Sequence, residues 1–168
     1  MSNSAKYFIE RLNLTKHLEG GSFCETFRSS LVHEKNNLPA EFNGARNSST
    51  AIYFLLEFGQ FSAFHKIASD EVWHFYEGET LTIYEINIDG LLTVHKLGRK
   101  IDFGETYQCV IKAGNWFASR CEVENGFSLV GCTVSPGFDF ADFELANGDE
   151  LSKVYPNYQN LISQLTRS

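Results

Sequence analysis

The sequence predicts an all-β fold, a barrel or sandwich of short strands with helices only at its two ends. Three observations predict it. Apolar segments recur at spacings of about 8–12 residues, each bounded by glycine, proline or asparagine turns. Fifteen phenylalanines and seven tyrosines stand against three prolines, a balance suited to pleated surfaces on which rings pack. Helical periodicity is confined to residues 4–12 and 149–165. The 168 residues suffice for one domain, expected over 1–168 with its barrel at about 20–145. An apolar share of 43% excludes long internal disorder.

Ser4 is placed to cap a helix from Ala5 to Leu12 that gathers Phe8, Ile9 and Leu12 on one side. The loop TKHLEGG leads into a strand, SFCETFRSS. In a regular strand Phe23, Glu25 and Phe27 share one face and Cys24, Thr26 and Arg28 the other. At most one of Glu25 and Arg28 would then face an interior. Residues 31–47 are polar, contain Pro39 and Gly44 and show no period, so they read as a long exposed loop with Arg46 in solvent. STAIYFLLEF, which carries Tyr53, is nearly all apolar and reads as a strand covered on both faces. FSAFHKI and EVWHFYEG lie between Gly59 and Gly78 as two short strands. TLTIYEINI and LLTVHKL follow, joined through a two-residue Asp89-Gly90 turn.

Gly104 opens TYQCVIK, Ala113-Gly114 turns the chain, and WFASRCEV begins at Trp116. FSLVGCTVS is the last long strand, ended by Pro136-Gly137. FDFADFELA reads as a loop pinned by Phe138, Phe140 and Phe143, with Asp139, Asp142 and Glu144 between them. A helix at residues 149–154 and the amphipathic NYQNLISQL close the chain.

The net charge of −7, without a basic stripe, excludes nucleic acid as a partner, because phosphates demand Lys and Arg. No run of about 20 apolar residues is present, so no membrane span is expected. The N-terminus lacks the apolar segment of a signal peptide. Cys24, Cys109, Cys121 and Cys132 lie far apart with no C-x-x-C pair and read as reduced thiols, which points to the cytoplasm.

Gly59, His65, Glu71 and Gly78 keep the spacing of the first cupin motif, G-x5-H-x-H-x3,4-E-x6-G, with Ile67 at the second histidine. The second motif is partly visible around Gly104 and KAGNWF, where Lys112 replaces a proline and Phe117 a histidine. From Leu12 to Pro156 the segments EGGSFCETFRSS, STAIYFLLEFGQFSAFHKIASDEVWHFYEG, KAGNW and GCTVSPGFDFADFELA resemble one cupin subfamily, domain of unknown function 985, or cupin_5. The resemblance implies a double-stranded β-helix (the cupin jelly-roll barrel) and a homodimer. It supplies no reaction.

A cupin metal site normally takes three histidines and a glutamate, of which this chain keeps His65 and Glu71. Two protein ligands hold a divalent metal weakly, so no cofactor is expected, and these two would be its ligands if one bound. Strand parity directs Phe61, Ala63, His65, Glu71, Trp73 and Phe75 inward and His74 outward. His65 and Glu71 are the candidate catalytic pair. Glu25, Arg28, Tyr53, Phe61, Ala63, Trp73, Phe75 and Trp116 are the candidate ligand-binding set. The stretch GGSFCETF also resembles a nucleotide-deoxysugar epimerase pattern through Gly21, Phe23 and Glu25. Gly20 replaces that pattern's phosphate-binding arginine, which argues against a nucleotide sugar. The expected function is binding of a small polar or carbohydrate-like molecule in the barrel. The alternatives are a metal-independent isomerase or epimerase with His65 as base, and a metal-dependent oxygenase or isomerase.

Overall fold

Short apolar runs punctuated by turns leave each segment only enough length for a strand, and thirteen form among the described residues. The structure is a computed structural model and describes residues 4–167. Positions 1–3 and 168 of the expected unit lie outside it. In chain order come β1 (Thr15–Lys16), β2 (Ser22–Arg28), β3 (Val32–His33), β4 (Arg46–Asn47) and β5 (Thr50–Glu57). Then follow β6 (Phe61–Lys66), β7 (Asp70–Gly78), β8 (Leu81–Ile86) and β9 (Leu92–Leu97). The last are β10 (Gln108–Ile111), β11 (Trp116–Cys121), β12 (Phe127–Ser135) and β13 (Glu144–Leu145). Helix α1 (Ala5–Arg11) precedes them, and α2 (Gly148–Val154) and α3 (Gln159–Gln164) follow. No helix among the described residues is long and apolar enough to cross a membrane.

A six-stranded sheet runs β1-β2-β5-β12-β7-β10 and a five-stranded sheet β13-β6-β11-β8-β9. From β5 to β8 the chain changes sheet at every strand, and β10, β11 and β12 alternate again. This interleaving is the expected jelly-roll barrel. Its interior is filled by Phe54, Leu56, Trp73, Ile83, Phe117 and Val130 among others. Each large side chain fully buried there contributes about 1.5–3 kcal/mol. Outside, α1 packs Phe8, Ile9 and Leu12 over Leu55 and Leu129 on the six-stranded sheet. The C-terminal helices pack Leu151, Ile162 and Leu165 against Phe64 and Ala118 on the other.

Three local expectations are corrected. The turn between β8 and β9 spans residues 87–91, because Ile86 pairs with Leu92. The Asn87 side chain organises it by accepting from the N–H groups of Asp89 and Leu91. Residues 31–47 are not a bare loop, since β3 pairs with β4 at its two ends. Arg46 is buried there, and its guanidinium donates two 2.6 Å bonds to the Asp142 carboxylate. FDFADFELA becomes a 3-10 turn at Phe140–Asp142 followed by β13, which pairs with β6. The Arg46–Asp142 pair ties these two excursions together.

Two β-bulges aim the side chains of the barrel mouth. In β2, Glu25 and Phe27 pair with adjacent residues Ile52 and Ala51, so Thr26 is an extra residue. In β6, Ser62 and His65 pair with Ser119 and Phe117, which sets Ala63 and Phe64 against Ala118 alone.

Candidate functional site

A cavity of about 250 Å³ opens at one end of the barrel. Its floor carries His65 and Glu71 from the consecutive strands β6 and β7 of the two sheets, with His17 and Glu19 from the segment before β2. Phe23, Phe138 and Phe140 form aromatic walls, and Ile52, Ile67 and Val134 complete the apolar lining. Glu25, Arg28 and Asp139 stand at the mouth.

Glu19 reaches the floor because Gly20 and Gly21 follow it with φ of 118° and 72°. A Cβ on Gly20 would overlap the Phe61 carbonyl oxygen, so only glycine lets this loop press against β6. The loop is then held by the Ala63 N–H, which donates to the Glu19 carbonyl at 2.8 Å. The Glu19 carboxyl lies 3.0 Å from His65 Nε2 and 3.7 Å from His17 Nδ1.

Proton positions follow from the partners. The Ala63 carbonyl can only accept, so His65 Nδ1, at 2.7 Å, carries the ring proton and Nε2 is the acceptor. Burial pushes the His65 imidazole down to about 4 against the opposing effect of that bond. Burial pushes the Glu19 carboxyl up, opposed by His17, Ser62 and Arg167. Both directions favour the uncharged forms, and the Glu19 carboxyl stands within hydrogen-bonding distance of His65 Nε2. Burial, reinforced by the Glu19 carboxyl, pushes Glu71 up to about 8. Its neighbouring donors are the weak Cys132 thiol and the Trp73 indole. The indole N–H lies close enough to lower Glu71 yet makes no hydrogen bond of ordinary geometry. The Ser62 hydroxyl stands in the same relation to Glu19. His17 Nδ1 accepts the Glu19 N–H at 3.2 Å, so a neutral His17 carries its proton on Nε2. Burial lowers His17 too, against the attraction of Glu19.

At the mouth, the Thr26 bulge turns both Glu25 and Arg28 to the cavity, where one was expected. Arg28 donates from Nε and Nη2 to the two Glu25 oxygens at 2.9 and 2.7 Å. Its Nη1 donates to Asn47 Oδ1 at 2.9 Å and to the Phe138 carbonyl at 3.2 Å.

Other expected ligand-binding residues lie elsewhere. The β6 bulge turns Phe61 outward, under the Arg167 guanidinium at 5.0 Å. Trp116 also faces outward, with the Lys66 ammonium 4.5 Å from its ring. Tyr53 follows the opposite parity to Ile52 and pairs with Tyr76, their ring centroids 5.8 Å apart. Trp73 and Phe75 point inward as parity predicted, but into the packed core beneath the cavity. Ala63 contributes its backbone. His74 faces outward, bonded to Thr133 Oγ1 at 3.1 Å and Gln108 at 3.0 Å. His17 and Glu19 were missed by sequence reasoning. Their signal was two titratable residues just before a Gly-Gly pair, which demands close backbone approach.

The cupin fold implies a divalent metal, and the donor set does not fit one. Two motif positions are Ile67 and Phe117, whose ring lies 4.0 Å from that of His65. His65 Nε2 faces Glu19. Among the described residues no three His, Cys, Asp or Glu side chains are grouped to hold a metal ion.

The family model described as cupin superfamily (DUF985) matches residues 6–146. An uncharacterized protein of Saccharomyces cerevisiae is 33% identical over 161 residues, 88% of this chain and 78% of its own. A protein from Shewanella oneidensis of known structure is 38% identical, with a TM-score of 0.89 over 99% of both chains. A hypothetical protein from Leishmania major is 30% identical, with a TM-score of 0.90 over 99% of this chain and 100% of that one.

Proposed function

This chain belongs to the Cupin_5 family of the cupin superfamily, and on that premise we propose that it binds a small polar, carbohydrate-like molecule on the cavity floor. One observation carries the reading. The Glu71 carboxyl is buried, lines the cavity and faces only two donors, the Cys132 thiol and the Trp73 indole, although a carboxyl has about four sites for hydrogen bonds. A ligand hydroxyl would fill that capacity, with the His17 Nε2–H as a second anchor and the phenylalanines against the apolar edge. The reading carries with it a homodimer, as the family resemblance implies, and a cytoplasmic location.

The test is calorimetric titration with neutral sugars and polyols, together with native mass spectrometry of the purified protein. Glu71→Ala and His65→Ala should each weaken binding about tenfold or more while the circular dichroism stays that of a folded β protein. Undiminished binding in both variants would sink the reading. The native mass also reads the homodimer, and a monomer mass would overturn that part.

A second reading, a metal-independent isomerase or epimerase, is favoured by the Glu71 carboxyl at about 8 beside an imidazole at about 4. Environments that push two titratable groups apart suit acid–base work. For His65 to act as base, its Nε2 must first be freed from the Glu19 carboxyl 3.0 Å away. Incorporation of solvent deuterium at a substrate carbon, followed by NMR, tests this. Its absence across a panel of sugars would remove the reading. The metal-dependent alternative lacks a fitting donor set, and no step is derived through a metal.

A further inference from the structure

We propose that the ligand carries a positive charge, so that the cavity takes a small protonated or quaternary amine, with amino sugars the carbohydrate-like members of that class. This rests on the reading that the cavity binds a small molecule. Its basis is a charge inventory of the lining. Four carboxyl groups, Glu19, Glu25, Glu71 and Asp139, face a single guanidinium, Arg28. Arg28 is already occupied. Its Nε and Nη2 close a two-bond pair with Glu25, and its Nη1 is shared between Asn47 and the Phe138 carbonyl. The two histidines add no positive charge, because burial lowers both. No lining cation is therefore left for an anion, whereas Asp139 stands at the mouth without a cation and Glu71 can yield its proton beside one.

The walls agree with the charge. The Phe23 ring stands edge-on to His17 at 4.6 Å, Phe140 stacks on His17 at 6.2 Å, and Phe138 lies 5.0 Å from Phe140. Aromatic rings lining a cavity can attract organic cations, and aromatic cages use them for quaternary ammonium groups. Below them lies Glu71, more than nine-tenths buried and with hydrogen-bonding capacity beyond its two neighbouring donors. A cation placed between rings and carboxyl meets both features. A neutral sugar uses only the hydrogen bonds, and an anion finds no free cation in the lining.

Binding should then be coupled to a proton. A cation beside Glu71 favours its ionised form, so the complex releases the proton that the free protein holds there. The groups facing Glu71 are Glu19 and His17 from the loop before β2, and His65 from β6. Cys132 of β12 and Cys109 of β10 stand beside it, and Glu25, Arg28 and Asp139 lie above. Among these, Glu71 and Glu19 are the carboxyls that burial holds protonated.

The experiment compares glucosamine, glucose and glucuronate by calorimetry, and follows choline, whose charge does not titrate, between about pH 6 and about pH 8. Glucosamine should bind about tenfold tighter than glucose and glucuronate weakest of the three. Choline affinity should rise roughly fiftyfold across that range, about one proton leaving per ligand bound at its acid end. Glu71→Gln should erase the preference for glucosamine while glucose still binds. Asp139→Asn, at the exposed mouth, should reduce that preference about twofold to threefold and serves where Glu71→Gln does not fold. Glucose or glucuronate binding as tightly as glucosamine, or a flat pH profile for choline, overturns the charge assignment and leaves the binding reading standing. Binding of none of the three sugars overturns both.

Discussion

His65 keeps one ring nitrogen for its own strand and offers the other to Glu19, and this division decides what the residue can do. A neutral imidazole with its acceptor nitrogen already facing a carboxyl at 3.0 Å is an anchor first and a base second. The same burial acts oppositely on its neighbour, because the charged form of a carboxyl is the basic one and the charged form of an imidazole the acidic one. The sign of the pH dependence follows. Glu71 rises from 4.5 to about 8 on folding, so between those values the folded state holds a proton that the unfolded state has lost. Its contribution is fully present below about 4.5 and is lost as pH rises through about 8. His65 falls from 6.5 to about 4, so the unfolded state takes up a proton first as pH falls, and stability is lost over that acid window. Glu71→Gln should therefore melt higher than the natural protein at about pH 9 and close to it at about pH 5, as read from thermal unfolding at both values. A variant less stable at the alkaline value would contradict a buried, uncharged Glu71. At this scale half of the floor was legible. The spacing from Gly59 to Gly78 marks His65 and Glu71, whereas in TKHLEGG the Gly-Gly pair signals a close backbone approach but not that His17 and Glu19 turn inward.

Strands reward a period-two reading only while their ladders stay regular. From Glu71 to Phe75 alternation holds, so Glu71, Trp73 and Phe75 point in and His74 points out. Two insertions break the rule elsewhere. Thr26 brings Glu25 and Arg28 to one face, and the Ala63–Phe64 bulge sends Phe61 outward while keeping His65 inward. A bulge is set by the partner strand, so a single strand's sequence does not announce it. Arg46 was misplaced for a related reason, since its partner Asp142 lies 96 residues away. The Gly-Gly turn is the element on which the floor depends, and it can be tested alone. Gly20→Ala adds a Cβ against the Phe61 carbonyl at a φ of 118°, which L side chains rarely adopt. Backbone strain and displacement together should cost about 2–4 kcal/mol. Denaturant unfolding should show a lower midpoint with little change in slope. Unchanged stability would mean that the loop carrying Glu19 has another way to sit.

The molecule as a whole closes its site from both ends of the chain. The segment that carries Glu19 lies near the N-terminus, yet it is clamped by Arg167 from beyond α3. Arg167 donates from Nε and Nη2 to the Glu19 carbonyl at 3.3 and 3.0 Å, with its guanidinium over the Phe61 ring. It also lowers the Glu19 carboxyl against burial. The C-terminal helices that deliver it pack on Phe64, the outward residue of the bulge that orients His65. The tail is thus mechanically joined to the cavity floor although it lines none of the cavity. Arg167→Ala removes both donors and the cation over Phe61, which leaves the Glu19 carbonyl with the Ala63 N–H alone. A loss of about 1–2 kcal/mol is expected, a melting shift of about 2–8 °C for a chain of this size. Global stability alone would not separate a clamp from an ordinary surface contact, so the informative readout is local. Amide exchange at Ala63, whose N–H holds the Glu19 carbonyl, should quicken more than exchange at Val130 in the opposite sheet. Arg167→Lys, which keeps the charge but loses the two-donor fork, should recover only part of the protection. Equal acceleration at Ala63 and Val130 would reduce Arg167 to a general stabiliser and uncouple the tail from the floor.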